Sequence, residues 1–124
     1  MKKDRDYIMF LEDILESAKN IEEYTRGFSE IKFCSNEQVN DAVMRRFEII
    51  GEATKHVPAK IKRKYPKIAW KKMAGMRNIL IHEYFGVNKD KLWKTIKEDI
   101  PDLKNKVAKI LNEIDEANKD KKLI

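Results

Sequence analysis

The sequence predicts an all-α fold, a four- to five-helix up-and-down bundle forming one domain over residues 1–124. Three observations carry this. Apolar residues recur at helical spacing along nearly the whole chain. No segment alternates with the period of two that a half-buried strand requires, and no hairpin dipeptide occurs. Short breaks rich in Gly, Pro, Ser or Asn separate the periodic stretches, as expected of helices joined by short loops.

The elements follow in order. Tyr7, Phe10, Leu11, Ile14, Ala18 and Ile21 form one apolar stripe, opposed by Glu12, Asp13, Glu16 and Lys19. They predict a first helix that stops near Gly27, a residue suited to the left-handed conformation beyond a helix end. Residues 28–34 read as a connector. Ser35-Asn36-Glu37-Gln38 reads as a capping box with Ser35 as the cap. It opens a second helix carrying Val39, Ala42, Val43, Phe47, Ile50, Thr54 and Val57. Val57-Pro58 ends that helix, because proline disfavours the α conformation in the residue before it. The basic stretch 58–66 reads as a short helix or turn, most simply a solvated face. Trp70, Met73, Ala74, Leu80, Ile81 and Tyr84 place another helix at roughly 69–84, ending near Gly86. Asn88 is a candidate cap for a helix holding Leu92, Trp93 and Ile96. Ile100-Pro101 reads as a kink or a new start. Leu103, Val107, Ile110, Leu111 and Ile114 form the last helix, and a polar tail from about 118 to 124 is expected to fray.

Composition narrows the function. The chain has 124 residues, 42% hydrophobic and 39% charged, with a net charge of +6. No apolar run approaches the ~20 residues of a membrane span. The N-terminus has no apolar signal core, so a cytoplasmic location is expected. The lone Cys34 has no intramolecular disulfide partner and cannot build a cysteine zinc site. The positive balance favours a polyanionic partner, although acidic residues alternate with the lysines over much of the chain. No glycine-rich phosphate loop and no H-E-x-x-H occurs, and His56 and His82 lack companions at metal-ligand spacing. No metal and no cofactor is implied.

One segment stands apart, Arg77-Asn78-Ile79-Leu80-Ile81-His82-Glu83-Tyr84, where polar residues sit among strong apolar ones. Histidine exchanges protons near neutrality. Arginine stays charged, and its fork matches phosphate oxygens. Asparagine can orient either. Together they suit metal-free cleavage of RNA, which carries its own nucleophile in the 2′-hydroxyl. Asn78 and His82 are four apart and share a helix face. Arg77 and His82 are five apart, about 140° around an ideal helix. A distorted helix end or a second copy of the chain is needed to bring them together. The residues alone leave a second reading open, in which the same polar groups simply bond between helices. His56 reads as a residue meeting the dipole at the end of the second helix. Trp70 and Trp93 read as core. Glu48 and Glu52 lie four apart beside Gly51; either one of them holds an arginine such as Arg45 or Arg77 in place or both are ordinary surface glutamates.

The string Arg77-x4-His82-x-Tyr84 resembles the motif of the HEPN superfamily. The flanks resemble its HepT-like branch: Asp41 to Ala53, then Ile68-Ala69-Trp70-Lys71-Lys72-Met73-Ala74-Gly75-Met76-Arg77-Asn78, then His82 to Val87. Leu92-Trp93 and Glu98-Asp99-Ile100-Pro101 fit as well. The resemblance implies a HEPN-like homodimer with its motifs at a shared cleft. It implies a metal-independent ribonuclease toxin with Arg77 and His82 catalytic and Asn78 supporting. It further implies RNA as substrate and a cognate minimal nucleotidyltransferase antitoxin as partner, one that silences the toxin by transferring AMP to Tyr84. The alternative from a different class is a non-catalytic helical module that binds nucleotide or RNA and partners a nucleotidyltransferase.

Overall fold

The structure, a computed structural model, describes the backbone of residues 2–76 and 89–122 and the side chains of residues 7–76 and 89–119. Among the described residues the chain is helical and contains no strand. Three long helices make the body: α1 (Lys2–Thr25), α3 (Glu37–His56) and α6 (Lys89–Lys122). Three short ones join them: α2 (Glu30–Ser35), α4 (Ala59–Lys64) and α5 (Trp70–Ala74). No helix among them is long and apolar enough to cross a membrane.

The predicted stripes are the core. Leu11, Ile14, Ala18 and Ile21 of α1 meet Val43, Phe47 and Ile50 of α3, with Ile96, Ile100, Leu103, Val107 and Ile110 of α6 completing the cluster. Removing these side chains from water is the main force closing the bundle. Directions follow from three contacts. Phe10 of α1 stacks on His56 of α3, ring centroids 4.9 Å apart, so the start of α1 lies beside the end of α3. Phe33 of α2 packs on Trp93 near the start of α6. Lys104 of α6 pairs with Glu22 of α1 at 2.6 Å. Helices α3 and α6 therefore both run opposite to α1. The described chain thus leaves α3 at one end of the bundle and resumes as α6 at the other.

The helix ends show where local chemistry decided. Gly27 follows α1 with φ +77°, the left-handed conformation that a Cβ disfavours. The expected connector 28–34 is mostly helix. Ser29 caps α2, its side chain accepting from Lys32 N–H at 3.1 Å. Ser35 is not the cap of α3. Its hydroxyl lies inside α2 and donates back to the carbonyls of Ile31 and Lys32. The cap is Asn36, whose Oδ1 accepts from Val39 N–H at 3.0 Å. Asparagine caps as well as serine, and the hydroxyl of Ser35 was already engaged. The break at Val57-Pro58 is as expected, and the stretch after it is α4.

The largest departure is at Pro101. No new start divides the chain there: α6 runs through it as one helix. An internal proline removes one i→i−4 bond and costs on the order of 3 kcal/mol. Here Ile96, Ile100, Leu103, Val107 and Ile110 are spaced 4, 3, 4 and 3 apart and all buried. Only an unbroken helix keeps all five on one face, and each buried side chain contributes roughly 1.5–3 kcal/mol. The missing bond would have gone to the carbonyl of Lys97, on the exposed face where water can serve it. Helix α6 also continues past Asn118 to Lys122, helped by an Asp115–Lys119 pair one turn apart.

Four polar residues lie in the core. Thr25 and Thr54 donate to the carbonyls of Ile21 and Ile50, at 2.8 and 2.7 Å. Ser17 and Asn40 are buried with no side-chain partner among the described residues. Asn40 stands in the same register as Val43 and Phe47, so the apolar stripe of α3 already indicated its burial.

Candidate functional site

Arg77, Asn78, His82 and Tyr84 lie outside the described residues, as do the second half of the helix expected at 69–84, the cap expected at Asn88 and the stop expected at Gly86. What the structure describes is the frame on either side of them.

On the N-terminal side the frame is α5 and the turn before it. The carbonyl of Tyr65 accepts from Trp70 Nε1 at 2.9 Å and from Ile68 N–H at 3.3 Å. This one oxygen folds the chain over Pro66 and aims Trp70 inward. Trp70, Met73 and Met76 are buried against the bundle, so Trp70 is core, as its position on the stripe indicated. Two lysines then tie the segment to α6. Lys72 Nζ bonds Asp99 at 2.8 Å. Lys106 Nζ donates to the carbonyl of Lys67 at 3.0 Å and pairs with Asp102 at 2.8 Å. Between these ties lies a cavity of about 90 Å³ walled by Ile68, Met73, Met76 and Leu103. Met76, the residue immediately before Arg77, is only 4% exposed. The chain therefore enters the motif from a point fixed in the core.

On the C-terminal side Lys89 opens α6. Its ammonium donates to the carbonyl of Cys34 at 2.9 Å, next to the carbonyl end of α2, where a cation is favourably placed. Trp93 packs on Phe33 one turn later, with Lys97 over its outer face at 4.6 Å. The Cys34 thiol is held above its ordinary range, first by burial and then by the carboxylates of Asp90 and Glu30, so it is a weak nucleophile.

Glu48 and Glu52 line an open groove of about 460 Å³ between α1 and α3, with Phe10, Asp13, Arg45 and His56. Glu48 pairs with Arg45 at 3.5 Å, and Glu52 with Lys55 at 3.7 Å. The two carboxylate side chains are 45% and 50% exposed, so each pair is worth at most about 1 kcal/mol. The pairing with Arg45, one of the two expected from sequence, is present. A pairing with Arg77 lies outside the described residues. His56 ends α3 as expected, but its ring is engaged by Phe10 rather than standing free. Among the described residues no three His, Cys, Asp or Glu side chains gather closely enough to hold a metal ion.

Sequence reasoning missed Lys72, Asp99 and Lys106. Asp99 sits beside the conspicuous Ile100-Pro101, but nothing local announces a partner 27 residues away.

The sequence that builds this helical frame, with the motif following α5 and preceding α6 along the chain, belongs to a known class of protein. The chain is a member of the ribonuclease HepT-like family, whose family model matches residues 14–110. It is similar to the "Probable ribonuclease HepT" of Thermococcus cleftensis, at 49% identity over 106 residues, covering 86% of this chain and 96% of that protein. A "Putative RNase" of Methanocaldococcus jannaschii is 46% identical over 103 residues, covering 83% of this chain and 94% of its own length. A "Gamma-glutamylcyclotransferase and putative RNase" of the same organism is 47% identical over 117 residues; the match covers 94% of this chain but only 53% of that longer protein. No solved structure matches.

Proposed function

We propose that the chain is a metal-independent endoribonuclease, the toxin of a prokaryotic toxin–antitoxin pair. The observation that carries this is membership of a ribonuclease family over a span, 14–110, that includes both Arg77 and His82. In this reading the RNA 2′-hydroxyl attacks the adjacent phosphorus. The bond from phosphorus to the 5′-oxygen breaks, leaving a cyclic phosphate on one fragment and a 5′-hydroxyl on the other. His82 takes or returns the proton, and its partner-subunit counterpart does the reverse. Arg77 holds the charge that builds on the phosphate oxygens. Asn78 orients one of them. A homodimer brings two motifs to one cleft, which answers the 140° separation of Arg77 and His82 on one helix. Of Glu48 and Glu52, one acts as an orienting carboxylate for an arginine, and Glu48 already pairs with Arg45.

Tyr84 is the off-switch. A cognate nucleotidyltransferase transfers AMP from ATP to its phenol oxygen, with pyrophosphate leaving. The added phosphate places negative charge and bulk beside Arg77 and His82 and excludes RNA. Support comes from the spacing of Tyr84, two residues beyond His82.

The test is RNA incubated with purified protein in EDTA. Wild type should cleave. Arg77→Ala and His82→Ala should not, while keeping the wild-type circular dichroism. RNA left equally intact by all three would support the non-catalytic binding module instead. For Tyr84, intact mass after incubation with ATP and the transferase should rise by one adenylyl group, and Tyr84→Phe should not change.

A further inference from the structure

The positive charge of this protein is not spread evenly. No acidic residue occurs between Glu52 and Glu83, a stretch that holds nine Lys and Arg; the rest of the chain carries 18 cations against 21 acids. The whole positive balance thus sits in the segment that leads into the motif. In the structure its apolar residues face inward: Ile61 and Tyr65 pack on the core, and Ile68, Trp70 and Met73 are part of it. The described cations are left outside. Lys55 and Lys72 are taken by Glu52 and Asp99, and Lys64 lies over the Tyr65 ring. Lys60, Lys62, Arg63, Lys67 and Lys71 have no side-chain ion pair to any described residue, and all but the half-buried Lys62 are exposed. Two carboxylates that adjoin this segment are engaged elsewhere, Asp102 by Lys106 and Glu113 beside Tyr65.

We infer that these five side chains form a docking ridge for the RNA phosphate backbone, delivering the strand to the motif. The inference rests on the ribonuclease reading for its occupant. Like-charged groups kept unpaired on one short segment repel one another, and a polyanion relieves that repulsion while releasing its own counterions. The backbone beneath the ridge is preformed. Tyr65 N–H bonds the Ile61 carbonyl, the Tyr65 carbonyl holds Trp70, and Lys106 holds the carbonyl of Lys67. The ordering cost at binding therefore falls on the side chains alone. Lys71 is six residues before Arg77, at most about 21 Å of chain, so a strand lying on the ridge reaches the motif within a few nucleotides. The contact is to phosphate and carries no base preference.

The experiment measures binding of a fluorescein-labelled oligouridylate to His82→Ala protein, which holds the strand without cutting it. A second form adds Lys→Gln at 60, 62, 67 and 71 and Arg63→Gln. A third keeps the charge, with Lys→Arg at the four lysines. Between about 50 and 200 mM salt, the Gln form should bind at least tenfold more weakly at the low end. Its slope of log affinity against log salt should fall by up to about 3.5, at roughly 0.7 per lost single-strand phosphate contact. The Arg form should match His82→Ala alone. Equal affinity and slope for the Gln form, at wild-type helicity, overturns the ridge. So does a Gln form that loses only affinity for anionic phosphatidylglycerol vesicles. If the otherwise wild-type chain cuts no RNA while the ridge variants behave as expected, the ribonuclease reading fails and the ridge stands. If wild type cuts RNA and the Gln substitutions alter neither binding nor cutting, the reverse holds.

Discussion

Leu103→Ala tests whether the seam between α5 and α6 holds the motif's entry point in place. Leu103 is 5% exposed and walls the cavity of about 90 Å³ that also meets Met73 and Met76. Truncation removes three carbons from the core, a transfer loss of about 2.4 kcal/mol at 0.8 per group. The space left behind joins the existing cavity, so its lining has little to collapse onto. At about 24 cal/mol per Å³ the added void costs up to roughly 1.5 kcal/mol more. The expected destabilisation is about 3–4 kcal/mol. A chain of this length is stable by roughly 6–18 kcal/mol, so the variant should still fold, with Tm lower by roughly 10–15 °C. The assay is urea unfolding followed by circular dichroism, with Leu111→Ala as the half-buried control, expected to lose under about 1.5 kcal/mol. At a temperature where both proteins are fully folded, RNA cleavage should also fall, because the step from Met76 to Arg77 loses its anchor. A loss below about 1 kcal/mol, or one no larger than at Leu111, would refute the packing of Leu103 against α5.

Two further outcomes follow from the same structure. Pro101→Ala should raise stability by about 1–2 kcal/mol, since it restores one helical hydrogen bond and removes the proline penalty, less the added freedom of the unfolded chain; a Tm that falls would show that the ring contributes more by packing than it costs. The Tyr65 phenol is held above its ordinary value of 10.0, first by burial and then by the Glu113 carboxylate beside it. The folded chain keeps that proton longer than the unfolded one, so this contribution is complete below about pH 10 and is lost as pH rises through the folded value. Tyr65→Phe should therefore flatten the alkaline loss of stability relative to wild type, and parallel curves above pH 10 would show that Tyr65 is not its source.

Much of the fold was legible because a helix records its buried face locally. The stripe from Leu11 to Ile21 and the stripe from Val43 to Ile50 mark the core by their spacing alone, and Gly27 and Val57-Pro58 mark two of the ends. Of the two readings at Pro101 the new start failed, because the apolar stripe continues in register on both sides of it. The local reading failed by one residue at Ser35, because two adjacent residues could each cap a helix and only the position of α2 chose between them. At the candidate site the residue types singled out Arg77, Asn78 and His82 as candidates, and only the resemblance to the HEPN motif added a role for Tyr84, while the residues that frame them were invisible. Asp99 binds Lys72 from 27 positions away, Lys106 binds the carbonyl of Lys67 from 39, and Lys89 binds that of Cys34 from 55.

By itself, then, the sequence determined that the fold is all helical and which faces of α1, α3 and α6 are buried, and it singled out one short string as the candidate site. Those properties depend on neighbours three and four residues apart. The tertiary structure alone decided that α6 is one helix, that Asn36 is the cap, and that Met76 enters the motif from a seam closed by α6. Each depends on which distant side chain arrives opposite, and that is set only when burial of the three long stripes closes the bundle.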